Sequence, residues 1–275
     1  MTVVTTLGTG SPLPDPNRAG PSTLVQAGST RLLVDAGRGV LMRLAGAGVL
    51  PTMLDAVLLT HLHSDHITDL NDVITTHWVM STEPTPLHVY GPAQTQQVVD
   101  GILAMLAPDL GYRVAHHADL TWTPIVEVHE LTPPARLTIG EATVIAGATD
   151  HQPVEPTVGY RIEHDGTAVV LAGDGVPCAG LDELCAGADA YVQTVIRADL
   201  VKLVPSGRLQ DILDYHSTIE QAAQTAARNG VRTLVATHFV PAIFPGSEHE
   251  WRDLAAAHFD GEIVLAEDLM AIEVT

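Results

Sequence analysis

The six residues His61-Leu62-His63-Ser64-Asp65-His66 hold four metal-capable side chains directly after the apolar run Ala56-Val57-Leu58-Leu59-Thr60. That run reads as a short buried strand. In a continuing strand, positions i and i+2 share a face while i+5 lies on the other. A strand that ends and turns tightly escapes this limit and can aim several side chains into one small volume. Neutral imidazoles together with a carboxylate suit zinc or another borderline divalent metal. The plain alternative is a polar turn in a chain with 14 histidines. The density of ligands at a strand end favours a metal site.

The same grammar of strand, loop and helix runs through two halves. Residues 3–7 form a strand ending in Gly8-Thr9-Gly10-Ser11, which lacks the third glycine and the following helix of a dinucleotide fingerprint. Leu24–Ala27 and Arg31–Val34 read as a hairpin closed by Asp35-Ala36-Gly37. Helical spacing covers Val40–Gly48, Ile67–Val79 and Thr95–Leu106. In the second half, strands are expected at 143–146, 158–162, 168–172, 190–195, 233–236 and 263–265. Ser217-Thr218-Ile219-Glu220 has capping-box spacing ahead of an alanine-rich helix. Residues 107–135 read as an irregular insertion or lid. No linker divides the chain, so the expectation is one α/β domain over residues 1–275, with two sheets flanked by helices.

Three further metal-capable residues follow predicted strands: His151, Asp174 and His238. With the opening cluster they make five imidazoles and two carboxylates, enough for two metals with a position left open for water or substrate. The remaining histidines, His88, His116, His117 and His129 among them, lack such placement and read as surface or core residues.

Charge and thiols limit the surroundings of this site. Net charge is −20, from 13 basic and 33 acidic residues, and Lys202 is the one lysine. Such a surface repels polyanions at long range, so extended nucleic-acid contact is not expected. The most basic local stretch, Arg197, Lys202 and Arg208, is a candidate anion pocket for substrate. No apolar run approaches the roughly 18 residues of a membrane span. The first residues lack the basic n-region of a signal peptide, and Cys178 and Cys185 make no disulfide framework. A cytoplasmic protein without membrane contact is the expectation.

Taken together, Leu7-Gly8-Thr9-Gly10-Ser11, Asp35, Thr60 to His66, His151, Gly159-Tyr160-Arg161-Ile162, Gly173-Asp174, His216-Ser217-Thr218 and Thr237-His238-Phe239 resemble the metallo-β-lactamase superfamily. Within it they are similar to the ribonuclease Z group and its arylsulfatase-like relatives. The resemblance implies a four-layer αββα sandwich and a dinuclear zinc hydrolase that cleaves phosphodiester bonds with a metal-bound hydroxide. His61, His63 and His151 would bind one metal, Asp65, His66 and His238 the second, and Asp174 would bridge them. Asp65 would orient the hydroxide. Asp35 would steady a ligand imidazole from behind, and His216 would stand over the metals as a catalytic residue. A homodimer is also implied.

Three departures from the family pattern bear on the substrate. Only Glu163 to Leu171 stands where a tRNA-gripping arm is often inserted, Gln193-Thr194-Val195 occupies the place of an element with a glutamate, and Gly175 replaces a threonine. With the acidic surface, these shift the expected substrate from a tRNA 3′ end towards a small-molecule ester or a nucleic-acid end. Aryl sulfates and lactones or other esters are the alternative substrates. A non-hydrolytic metal sensor or interaction protein is the alternative of another kind.

Overall fold

A computed structural model describes every residue, Met1–Thr275. The first half runs through β1 (Thr2–Gly8), β2 (Ser22–Ala27), β3 (Thr30–Val34), α1 (Val40–Gly46), β4 (Ala56–Leu58), α2 (Ser64–Ile67), α3 (Leu70–Met80), β5 (Leu87–Gly91), α4 (Thr95–His116) and β6 (Val126–Glu130). The second half follows with β7 (Ala135–Ile139), β8 (Ala142–Ala148), β9 (Val158–His164), β10 (Thr167–Leu171), α5 (Ala179–Cys185), β11 (Ala190–Ile196), α6 (Ala198–Val201) and α7 (Gly207–Gln210). It closes with α8 (Ile219–Arg228), β12 (Thr233–Val240), α9 (Glu248–Ala256), β13 (Glu262–Leu265) and β14 (Met270–Val274). Two seven-stranded sheets result, ordered β14-β1-β2-β3-β4-β5-β6 and β13-β12-β11-β10-β9-β8-β7.

The apolar runs explain the layering. Successive side chains of a strand face opposite ways, so a strand apolar at every position needs partners on both faces. In β3, Leu32 and Val34 enter a 22-residue core between the sheets, while Leu33 joins a 16-residue core beneath the first-half helices. In β10, Val169 and Leu171 face inward, and Val170 faces a 20-residue core that includes α5, α8 and α9 side chains. Helix, sheet, sheet and helix therefore stack as the αββα sandwich. β4 runs parallel to β3 and β5, and β10 to β11 and β12. Crevices beyond the carboxyl ends of such strands are where ligands bind in α/β folds.

Several sequence expectations change. The helix expected over Ile67–Val79 starts later, as α3 at Leu70, and Ser64–Ile67 form a separate single turn, α2, inside the metal-ligand cluster. Residues 107–135 are not irregular throughout. They hold the end of α4, which continues through Pro108 to His116, and the edge strand β6. The irregular stretch between them is tied to α3 by Trp78 Nε1, which donates to the Trp122 carbonyl at 2.9 Å. The helix cap also moves by one residue. Thr218 Oγ1 accepts from Gln221 N at 3.2 Å and Gln221 Oε1 accepts from Thr218 N at 2.9 Å, a box set one place later than the Ser217 and Glu220 spacing.

Candidate metal centre

Chain segments that follow strands meet at one edge of the sandwich. The turn after β4 delivers His61 to His66, the β8–β9 connection delivers His151, β10 leads to Asp174, and β12 carries His238. All seven expected ligands come together. One donor atom from each of His61, His63, His151 and Asp174 lies within 4.8 Å of the others, and the same holds for Asp65, His66 and His238. Asp174 stands between the groups: its Oδ2 is 3.8 Å from His61 Nε2, 3.4 Å from His66 Nε2 and 3.7 Å from His238 Nε2.

Backbone conformation makes this convergence possible. Gly173 has a φ of 67°, and a Cβ there would lie 2.7 Å from Thr60 Cβ. Glycine is therefore what lets the end of β10 approach the histidine turn. Asp35 (φ 60°) and His238 (φ 53°) adopt the left-handed region without being glycine. That conformation costs roughly 1–2 kcal/mol per residue for ordinary side chains, and such strain gathers at functional sites.

Hydrogen bonds behind the rings fix which nitrogen turns inward. His66 Nδ1 donates to Asp35 Oδ2 at 2.7 Å, and Asp35 also accepts from Thr60 N at 2.8 Å and Thr60 Oγ1 at 2.9 Å. With its own proton given to Asp35, Thr60 Oγ1 accepts from His61 Nδ1 at 3.0 Å. His151 Nδ1 donates to the Tyr215 carbonyl at 2.7 Å. Each of these three rings thus commits Nδ1–H outward and turns Nε2 towards the centre, bare in His61 and His151.

Those inward lone pairs need a cation. His61 Nε2 and His151 Nε2 lie 3.1 and 3.3 Å from His63 Nδ1. A tetrahedron with metal–nitrogen bonds of about 2.05 Å has edges of about 3.3 Å. His66 Nε2 and Asp174 Oδ1 are buried with no hydrogen-bond partner, whereas buried polar atoms nearly always have one. The residues present fit a divalent metal at each group.

Electrostatics agree with this fit. Burial pushes His61 well below its ordinary pKa, lowers His151 to about 4 and lowers His63, which keeps the three rings in the neutral, ligating form. Burial acts the same way on His66 and His238, but the Asp174 charge outweighs it and raises both. For Asp174, burial opposes ionisation, yet the charges of His238 and His66 hold it well below the carboxylate range. A divalent cation takes over the balance that those protons otherwise provide.

A pocket opens over this floor. Ser11, Pro12, Leu13, Leu209, Ile212, Tyr215 and Val240 surround His63, Asp65, Asp174, His216 and His238. No residue of 107–135 lines it. His216 Nε2 lies 3.2 Å from Asp174 Oδ2, and its Nδ1 donates to the Ile212 carbonyl at 3.2 Å. Gln193 does not reach His216. Its Nε2 donates to the Gly173 carbonyl at 3.2 Å and its Oε1 accepts from Tyr191 Oη, so a backbone carbonyl supports the histidine from behind. At Gly175, a Cβ would lie 2.6 Å from the Asp150 carbonyl, which accounts for the missing threonine.

The expected anion pocket does not assemble. Arg197 is buried, and its guanidinium is held by Asp199 at 2.7 Å and Glu250 at 3.1 Å. Lys202 and Arg208 are exposed and do not line the metal pocket. Residues that the sequence left unnoticed hold the site instead. Thr60 links Asp35 to His61, and only its place beside the motif hinted at this. The Tyr215 and Ile212 carbonyls carry no sequence signal, because every residue has one.

The chain matches a family model described as a β-lactamase superfamily domain over residues 30–239. It is 56% identical to Ribonuclease Z of Mycobacterium bovis over 276 residues, covering 100% of this chain and 99% of the relative. The chain belongs to the ribonuclease Z family. Ribonuclease Z of Mycobacterium tuberculosis is 54% identical, with 100% of this chain and 98% of the relative covered. Among solved structures, the metallo-β-lactamase fold protein YhfI from Bacillus subtilis superposes with a TM-score of 0.78 at 25% identity, over 98% of both chains. The short form of human tRNase Z gives 0.72 at 23% identity, over 99% of both, and shows the fold. As a ribonuclease Z family member, the chain is a metal-dependent hydrolase acting on phosphodiester bonds, and its two His/Asp groups fit divalent metal.

This family corrects the expected partner. Of the expected substrates, a small-molecule ester or a nucleic-acid end without extended nucleic-acid contact, the small-molecule ester conflicts with relatives named Ribonuclease Z along their whole length. The net charge of the chain does not set the field at the pocket. Charges beyond the screening length of about 8 Å at physiological salt contribute little. Of the pocket's residues, only Asp65 and Asp174 are acidic. The relatives likewise give the sulfatase, lactonase and non-hydrolytic alternatives no support. No helix is long and apolar enough to cross a membrane.

Proposed function

We propose that this chain, acting as one domain, cleaves tRNA precursors at the 3′ side by hydrolysis of a phosphodiester. The observation that carries this reading is the seven-ligand centre beneath an open pocket, in a chain more than half identical to ribonuclease Z relatives. His61, His63 and His151 would hold one metal, Asp65, His66 and His238 the other, and Asp174 both. Zinc suits this set of imidazoles and carboxylates with open positions. When bound, the two ions supply Lewis acidity and a water whose pKa is lowered to about 7.

The chain's own residues then have separate tasks. Asp65 lines the pocket and holds the attacking water by its carboxylate, which lies 3.2 Å from His238 Nε2. His216 Nε2 is aimed from the pocket wall, and in its imidazolium form the ring delivers the Nε2 proton to the leaving oxygen. The Ile212 carbonyl accepts from Nδ1 and holds the ring in that orientation. Pro12, Leu13, Leu209 and Ile212 give the pocket an apolar wall that keeps bulk water from the reacting phosphate. The fall in chain charge that the metals bring about lets the polyanion enter. Two cysteines, one buried with its thiol pushed up to about 12 by burial, fit a reducing, intracellular setting.

Cleavage of a tRNA precursor by zinc-loaded protein at low salt, where electrostatic binding is strongest, tests the reading. Shortening at the 3′ side that disappears on chelation is the expected result. An intact precursor with both metals bound would refute it.

A further inference from the structure

β5 and β6 pair in parallel with His88 opposite Glu127 and Tyr90 opposite His129. The two-residue period of a strand puts these four side chains on one face, on the side where Tyr90 packs against the inter-sheet core. Leu87, Val89, Val126 and Val128 take the other face, under the helices. β6 is the edge strand of its sheet, so this cluster stays open to solvent. His88 and His129 are half-buried and Glu127 is exposed. In sequence, His88 and His129 looked like ordinary surface histidines, because register across two strands 39 or more residues apart is invisible there.

The donor atoms converge. His88 Nδ1 lies 3.3 Å from Glu127 Oε2 and 3.4 Å from His129 Nε2, and one donor from each of the three lies within 4.8 Å of the others. Both spacings match the edge of about 3.3 Å expected for tetrahedral zinc ligands. Two imidazole nitrogens facing each other at 3.4 Å need a proton or a cation between them. The Tyr90 ring stacks on His129, with centroids 4.3 Å apart and planes 16° from parallel, and so limits the freedom that metal binding would remove.

We propose that His88, Glu127 and His129 form an auxiliary divalent-metal site, of zinc-type chemistry, with water completing the coordination. Two imidazoles and one carboxylate with an open position form a recognised zinc donor set, and the Glu127 charge offsets half that of the ion. A metal there cross-links the edge strand β6 to β5. None of the three residues lines the pocket of the main centre, so the site is separate from the hydrolytic one.

Equilibrium dialysis against buffered free Zn2+, followed by elemental analysis, tests the proposal with three chains: wild type, His129→Ala and Glu127→Gln. Wild type should hold one equivalent more than His129→Ala. The isosteric Glu127→Gln, which has no fold-breaking change, should weaken that last equivalent at least about tenfold. Phosphodiester cleavage should be the same in all three. A wild type that holds no more zinc than His129→Ala, or an extra equivalent that survives unweakened in both variants, overturns it. Because the result is a difference between chains with the same main centre, it stands apart from whether that centre cleaves RNA.

Discussion

Asp35→Asn isolates what holds the metal-binding rings in place. Asp35 accepts three hydrogen bonds, from Thr60 N, Thr60 Oγ1 and His66 Nδ1, at 2.7–2.9 Å. Asparagine tolerates the left-handed φ of 60° almost as well as aspartate, so the backbone need not move. It offers one acceptor oxygen where the carboxylate offers two. If that oxygen keeps Thr60, the new amide faces His66 Nδ1 and donor meets donor. The ring relieves this by moving its proton to Nε2, the atom that should bind metal. A lost hydrogen bond to a charged group is worth about 1.5–3 kcal/mol, which corresponds to a metal affinity weakened about 10- to 150-fold. Chelator competition measures the affinity, and thermal melting of the metal-free protein checks that the fold is intact. The magnitude agrees with the 10–100-fold typical for partners behind metal ligands. Affinity within about threefold of wild type, with an unchanged melt, would show that Asp35 does not hold the His66 ring for metal.

Other perturbations separate fold, metal and chemistry. His216→Ala should lower kcat by about 10²- to 10⁴-fold while bound metal stays constant; a loss of metal would make His216 a ligand instead. Gly173→Ala forces a Cβ to within 2.7 Å of Thr60 Cβ at a φ of 67°, and should cost at least about 1–2 kcal/mol of stability, read by denaturant unfolding. A midpoint equal to wild type would contradict the close approach. Removing metal by chelation should abolish cleavage and lower the Tm, since ligand at a thousandfold excess over Kd stabilises by about 4 kcal/mol per site; an unshifted melt would show that the lone pairs tolerate one another. Tyr160→Phe removes the Oη that donates to the buried Leu59 carbonyl at 2.7 Å and should cost about 1–3 kcal/mol, again by denaturant.

Much of the fold was legible because burial on two faces writes itself as apolar runs. β3, β4, β9, β10 and β11 could be read that way, and so could the placement of ligands after them. β6 and β7 escaped notice because edge strands keep one face wet, and Glu127, His129, Arg136 and Thr138 interrupt their apolar pattern. Pro108 likewise hid the length of α4. At the site, side-chain ligands were visible as residue types, whereas support by the Tyr215 and Ile212 carbonyls was not. Arg197 shows the reverse error. A basic residue near the motif looked available to substrate, but Asp199 and Glu250 had already claimed it.

The hydrolytic centre is expected to need two metals sharing Asp174. The most direct measurement follows precursor cleavage while zinc is added stepwise to the metal-free protein, with bound metal counted at each step. Activity should stay low through the first equivalent and reach its plateau at two per chain. A plateau at one equivalent, or full cleavage by the metal-free protein, would contradict it.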